Sequence, residues 1–150
     1  MDLKFIAAYA SYGWHLFPMT HRTKKPKIKR WNAGGATQDI KTLTEWYSDS
    51  GKFKDCGVAV LTGAISNIVV LDIDKRNGGL SWLEEAEKTH PEAFQQAKTV
   101  QTGDGWHYYF SYNGEESKEI APGVEIKSDG ANITLPPTIH KSGSTYQWVT

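Results

Sequence analysis

Asp72 and Asp74 stand two residues apart at the end of the apolar run Val69-Val70-Leu71, and paired acids at that spacing are the strongest chemical signal in the chain. A short run of β-branched and aliphatic residues favours a buried strand. Alternation along that strand puts Asp72 and Asp74 on one face and Ile73 on the other. Two carboxylates a few ångströms apart repel each other and lose hydration when buried, which is usually tolerated only with a cation between them. Asn77-Gly78-Gly79 follows directly, so the pair lies near a strand end, where the sites of sheet proteins collect. The same residues also fit a plain strand-end turn whose acids cap backbone amides. Asp-x-Asp alone does not separate the two readings.

Three further segments carry groups of chemical interest. The first is Thr102-Gly103-Asp104-Gly105-Trp106-His107-Tyr108-Tyr109-Phe110. Gly103 and Gly105 let a backbone approach a ligand closely before a strand begins. On that strand His107 and Tyr109 share a face opposite Trp106, Tyr108 and Phe110. The larger apolar set is expected in the core, which leaves His107 on the open face, as a phosphate contact or as a satisfied structural residue. The second is Gly123-Val124-Glu125-Ile126-Lys127, where Glu125 and Lys127 share the polar face of an ordinary half-exposed strand. The third, Leu135-Pro136-Pro137-Thr138-Ile139-His140-Lys141-Ser142-Gly143, reads as a rigid turn with several hydrogen-bond donors.

Composition narrows the partners. The chain has 150 residues, enough for one domain over 1–150, or one domain with a small lobe, around a real core. Its 17 basic and 17 acidic residues cancel, so bulk charge predicts no partner. The distribution says more. Arg22, Lys24, Lys25, Lys27, Lys29 and Arg30 crowd one segment broken by Pro26. That is either a solvated loop or a track for the phosphates of a nucleotide or a nucleic-acid strand. Cys56 is the only cysteine, which excludes an internal disulfide framework and a cysteine-cluster zinc site. Neither a signal peptide nor a bilayer-length apolar run is present, so a reducing cytoplasm is the expected compartment, with no membrane partner.

The elements that must position these groups alternate along the chain. Leu3, Ile6, Ala7 and Ala10 recur at helical spacing after Asp2, with Gly13 as a stop. His15 to Pro18 is a short strand, and the basic loop runs to about Ala36. Thr37 is placed to cap a helix whose stripe is Ile40, Leu43, Trp46 and Tyr47. Gly57 to Leu61 and Asn67 to Ile73 are strands. Ser81 is placed to cap a helix carrying Leu83 and Ala86, with Pro91 ending it or starting the next turn. Further strands are expected at Thr99 to Thr102, Trp106 to Tyr112, Val124 to Lys127, Asn132 to Leu135 and Tyr146 to Val149. Helices first and strands later predict an α+β fold with a mixed sheet.

In this order the segments resemble the N-terminal domain of bifunctional DNA primase/polymerases, within the archaeo-eukaryotic primase superfamily. The resemblance starts at Gly13 to Pro18, Lys25-Pro26, Trp31 and Ala36-Thr37. It continues through Gly57-Val58-Ala59-Val60, Thr62-Gly63, Asp72, Asp74 and Gly105-Trp106-His107. It closes with Gly123-Val124-Glu125-Ile126, Pro136-Pro137, His140, Ser142-Gly143, Tyr146 and Trp148. Each element is weak alone, and the ordered set is specific.

The resemblance implies a primase-type catalytic core: an RRM-like mixed sheet flanked by helices, with a small N-terminal α/β lobe. It implies that Asp72, Asp74 and Glu125 are the catalytic metal ligands, and that His107, with Gly105 and Asp104 beside it, contacts the incoming nucleotide. Lys127 and His140 are implied near the triphosphate. The loop with Lys24, Lys25, Lys27, Lys29 and Arg30 is the candidate for template or triphosphate contacts. Glu125 departs from the usual Asp by one methylene, and Gly105 replaces a common Ser two before the histidine.

The implied reaction is template-directed nucleotidyl transfer, in which a 3′-hydroxyl attacks the α-phosphate of a ribo- or deoxyribonucleoside triphosphate. Two Mg²⁺ or Mn²⁺ ions suit all-oxygen ligation. Template DNA and nucleoside triphosphates are the expected partners, and relatives often precede helicase or other replication domains. Two alternatives stand beside this reading. One is a relative that binds nucleotide or single-stranded DNA without extending it. The other is a metal-dependent nuclease or glycosyltransferase, which also uses clustered acids.

Overall fold

A computed structural model describes residues 1–149. They form an α+β fold built on two sheets. The smaller has three strands in the order β1-β2-β8: Leu16–Met19, Gly57–Leu61 and Asn132–Leu135. The larger has six in the order β6-β7-β3-β5-β4-β9. These are Lys118–Ala121, Val124–Lys127, Ile68–Asp74, Gly105–Ser111, Lys98–Gln101 and Gln147–Trp148. Every pairing between these strands is antiparallel.

Alternation along the strands divides the apolar residues between three packing layers. The main core lies on the inner faces of both sheets. It joins Val58, Val60, Ile133 and Leu135 to Val70, Val100 and Tyr109, and is closed by Ile6 and Tyr9 of α1 (Leu3–Ser11) and Leu43 and Tyr47 of α2 (Ile40–Tyr47). A second layer on the far face of the large sheet joins Leu71, Ile73, Tyr108 and Val124 to Leu83 of α3 (Gly79–Thr89), with Phe94 of α4 (Pro91–Gln96) against it. A third covers the outside of the small sheet with Phe17, Met19, Ala59 and Leu61 under Trp31.

Covering the large sheet on both faces changes one expectation. Trp106, Tyr108 and Phe110 do pack away from solvent, but against the helices. The opposite face of β5, expected to be open, is the one turned to the main core. His107 is therefore buried, at 5% exposure, beside Tyr109 at 6%.

Local chemistry explains three other differences. The cap of α2 is Asp39, whose carboxylate accepts from the Thr42 amide at 3.0 Å. Thr37 is instead bridged to Leu16 by two backbone hydrogen bonds of 2.8 and 2.9 Å. Helix α3 begins before Ser81, because Gly78 turns the chain at φ 96° and Gly79 packs where a Cβ would strike the Gly123 and Asp74 carbonyls. Pro91 starts α4, the second of the two outcomes expected of it, since its missing amide costs nothing at a helix N-terminus. The strand β6 has no apolar alternation and its residues are mostly exposed, as suits a charged sheet edge. Among the described residues no helix is long and apolar enough to cross a membrane.

Candidate active site

Where the apolar part of the inner face of the large sheet ends, its polar residues open into a cleft of about 460 Å³. Strand register builds its floor. Asp72 on β3 is paired with His107 on β5 and with Glu125 on β7, so all three side chains leave the sheet on one face. Asp74, two residues on, shares that face and lines the same cleft. The sequence placed these four residues on three separate segments, and antiparallel pairing brings them together.

Each carboxylate has a basic neighbour. His107 Nε2 lies 3.4 Å from Asp72 Oδ1. Burial raises the Asp72 pKa, but the charge and hydrogen bond of His107, with Lys24 and Lys127 beyond, outweigh it and hold the group down to about 2. Asp74 caps the turn that follows it: Oδ1 accepts from the Arg76 amide at 3.0 Å and Oδ2 from Asn77 Nδ2 at 2.7 Å. Glu125 Oε2 pairs with Lys127 Nζ at 2.9 Å, with half of the glutamate side chain exposed.

With those partners the acids are spread along the cleft. Among the described residues no three His, Cys, Asp or Glu side chains converge on one point. The donor set nevertheless fits hard divalent cations in kind, because Asp72, Asp74 and Glu125 offer only oxygens to one shared space.

The opposite wall comes from the loop after the two prolines. Thr138 is fully buried, and its hydroxyl accepts from the Val58 amide at 2.9 Å, anchoring the loop to β2. His140 is held by Ser142, whose amide reaches Nδ1 at 3.1 Å. That leaves the ring proton on Nε2, which points at Asp104 Oδ2, 3.3 Å away. Burial lowers the His140 pKa, and the nearby Asp104 carboxylate only partly offsets it. Tyr146 packs between the two histidines, stacked on His107 at 5.8 Å and edge-on to His140 at 5.5 Å. Burial first, and then Asp72, pushes its phenol up to about 12.

The glycines of the Thr102–Gly105 turn serve packing within the protein. A Cβ on Gly105 would strike the Ile73 carbonyl, and one on Gly103 would strike His140 and Ser142. The turn can therefore lie flat against both β3 and the 140–144 loop, and this close fit sets the position of Asp104.

The basic loop divides. Its start is stapled to the wall, since the Ile139 amide donates to His21 Nδ1 at 3.0 Å and the Arg22 amide donates to the Ile139 carbonyl at 2.8 Å. Lys24 then lines the cleft, while Lys25, Lys27, Lys29 and Arg30 are exposed elsewhere on the surface. Lys127 lines an adjoining polar recess with Lys24, Asn132 and Thr134.

Arg76 and Lys141 also line the cleft and were not singled out in the sequence. Arg76 follows Asp74 by two residues, and Lys141 follows His140. A helical turn at 75–77 brings the first round to the carboxylates, which a charge run in sequence does not signal.

The family model of the bifunctional DNA primase/polymerase N-terminal domain matches residues 6–150. A search of curated proteins found no match.

Proposed function

The chain belongs to the bifunctional DNA primase/polymerase N-terminal domain family, and from that membership we propose that it extends a 3′-hydroxyl on a DNA template with nucleoside triphosphates, using two divalent metal ions. Primase/polymerase-type function follows from the family; the two-ion transfer at this cleft is our reading. The observation that carries it is the register pairing of Asp72 with both His107 and Glu125 at the mouth of a polar cleft.

Asp72, Asp74 and Glu125 would hold the ions, for which Mg²⁺ and Mn²⁺ suit the all-oxygen set. When bound, such ions supply charge neutralisation and an activated hydroxyl. The protein's own groups do the rest. His107 Nε2 orients Asp72 and keeps it ionised. Lys127 and Lys24, flanking the acids, offer ammonium donors to phosphate oxygens entering the adjoining recess. His140 Nε2–H is a fixed donor on the facing wall. Tyr146, buried between the two rings, keeps both from rotating. The exposed lysines of residues 25–29 and Arg30 would follow the template backbone outside the cleft.

Incubation of primed and unprimed templates with ribo- or deoxyribonucleotides and Mg²⁺ or Mn²⁺ tests the reading. Template-dependent product supports it. Shortening of labelled DNA without nucleotides would make the protein a nuclease, and nucleotide binding with no product would make it a non-extending relative.

A further inference from the structure

Asp104 carries an unusual load for one carboxylate oxygen. Arg76 Nη2, His140 Nε2 and Lys141 Nζ all approach its Oδ2, at 2.8, 3.3 and 3.9 Å. A carboxylate oxygen offers about two lone-pair positions, so the three donors compete. Only Arg76 reaches the length of a charge-assisted hydrogen bond.

We propose that Arg76, His140 and Lys141 bind the terminal phosphates of the nucleoside triphosphate, and that Asp104 competes with those phosphates for the same three groups. The proposal rests on the nucleotidyl-transfer reading above and adds to it where the outer phosphates go. A phosphoryl group presents three acceptor oxygens, one for each donor now crowded on Oδ2.

Position supports the assignment. Arg76 Nε is also 3.8 Å from Asp74 Oδ1, so one guanidinium spans a proposed metal ligand and the cluster. A triphosphate with its α-phosphate beside Asp72 and Asp74 therefore runs outward onto Arg76 along the shared cleft. The three groups are also suited to exchange partners. His140 is fixed from behind by Ser142, with Nε2–H facing the cleft. Arg76 and Lys141 are 54% and 56% exposed and free to follow a ligand. The Asp104 backbone is tied to Thr102 Oγ1 at 3.1 Å, so its side chain can swing aside while the turn stays in place.

Calorimetric titration of tripolyphosphate, and of a non-hydrolysable nucleoside triphosphate with Mn²⁺, into four proteins tests the proposal. They are the wild type, Asp104→Asn, Arg76→Gln and Lys141→Gln. Asp104→Asn should bind both ligands about tenfold more tightly, and each of the other two about tenfold more weakly, as expected for one charge-assisted hydrogen bond. If Asp104→Asn only melts lower, with affinity unchanged or reduced, Asp104 is a staple between two loops and the proposal fails. Arg76→Gln and Lys141→Gln replace exposed side chains and remain folded, so wild-type affinity in both overturns it independently. A protein that extends primers while those two variants bind normally loses this inference alone. A wild type that binds triphosphate through the cluster yet extends nothing loses the polymerase reading alone.

Discussion

His107 Nε2 sits 3.4 Å from Asp72 Oδ1 at the same level of the sheet where Asp72 is paired, on its other side, with Glu125. A half-buried carboxylate is thereby kept ionised at the floor of the cleft. Its depressed pKa has a definite sign: Asp72 contributes stability above the unfolded carboxyl value and loses it as pH falls through about 2.

Removing that partner should separate two effects. His107→Ala deletes a buried ring stacked on Tyr146, which should cost about 2 kcal/mol of stability. It also removes the main influence that opposes burial at Asp72, leaving only Lys24 and Lys127, so the acid limb of the pH–activity profile should move to higher pH. Melting curves and primer extension across pH measure both. A variant that melts lower but keeps its pH profile makes His107 purely structural.

Glu125 has the most ordinary surroundings of the three acids, and is accordingly the most informative to change. Its ion pair with Lys127 is half exposed and screened, so Glu125→Gln should alter stability by no more than about 0.5 kcal/mol. If it is a metal ligand, Mn²⁺ affinity should fall and catalysis should drop by orders of magnitude. Glu125→Asp should retain appreciable activity. Wild-type extension by the Gln variant would remove Glu125 from the site.

The division of the basic loop makes Lys24 separable from its neighbours. Replacing Lys25, Lys27, Lys29 and Arg30 with Ala should reduce the salt dependence of single-stranded DNA binding, by roughly 3 in log–log slope if all four meet phosphates. Lys24→Ala should instead weaken nucleotide binding, because Lys24 lines the cleft. An unchanged slope in the fourfold variant assigns the outer loop to solvent.

Two histidines give stability a pH dependence on the acid side. Burial lowers the pKa of both His21 and His140. The unfolded chain therefore binds more protons once pH falls below the ordinary histidine value of about 6.5, and stability declines from there downward. The melting temperature should fall between about pH 7 and about pH 5, less steeply in His140→Asn. A wild-type profile flat over that range contradicts the assignment.

Much of this was legible in the sequence, for particular reasons. β3 was readable because Val69 to Leu71 form a short aliphatic run, and the site's acids were readable because two of them end that run. His107 was a candidate from the glycine-rich lead before it, while Glu125 became one through resemblance, since alone it matches an ordinary strand residue. What the sequence withheld was pairing. Nothing local shows that Asp72 lies opposite both, or that the face of His107 meets the larger core. β6 was hidden because a charged edge strand has no apolar alternation. Arg76 and Lys141 were hidden because a turn, and not a pattern, carries them to Asp104.

The most direct test is single-nucleotide incorporation on a primed template, with each of the four deoxynucleotides supplied separately with Mn²⁺, by the wild type and by Asp72→Asn. The wild type should add only the nucleotide complementary to the template base. Asp72→Asn should add none, while melting as a folded protein. Incorporation that ignores the template base, or an Asp72→Asn variant that extends at the wild-type rate, would contradict a templated transfer centred on Asp72.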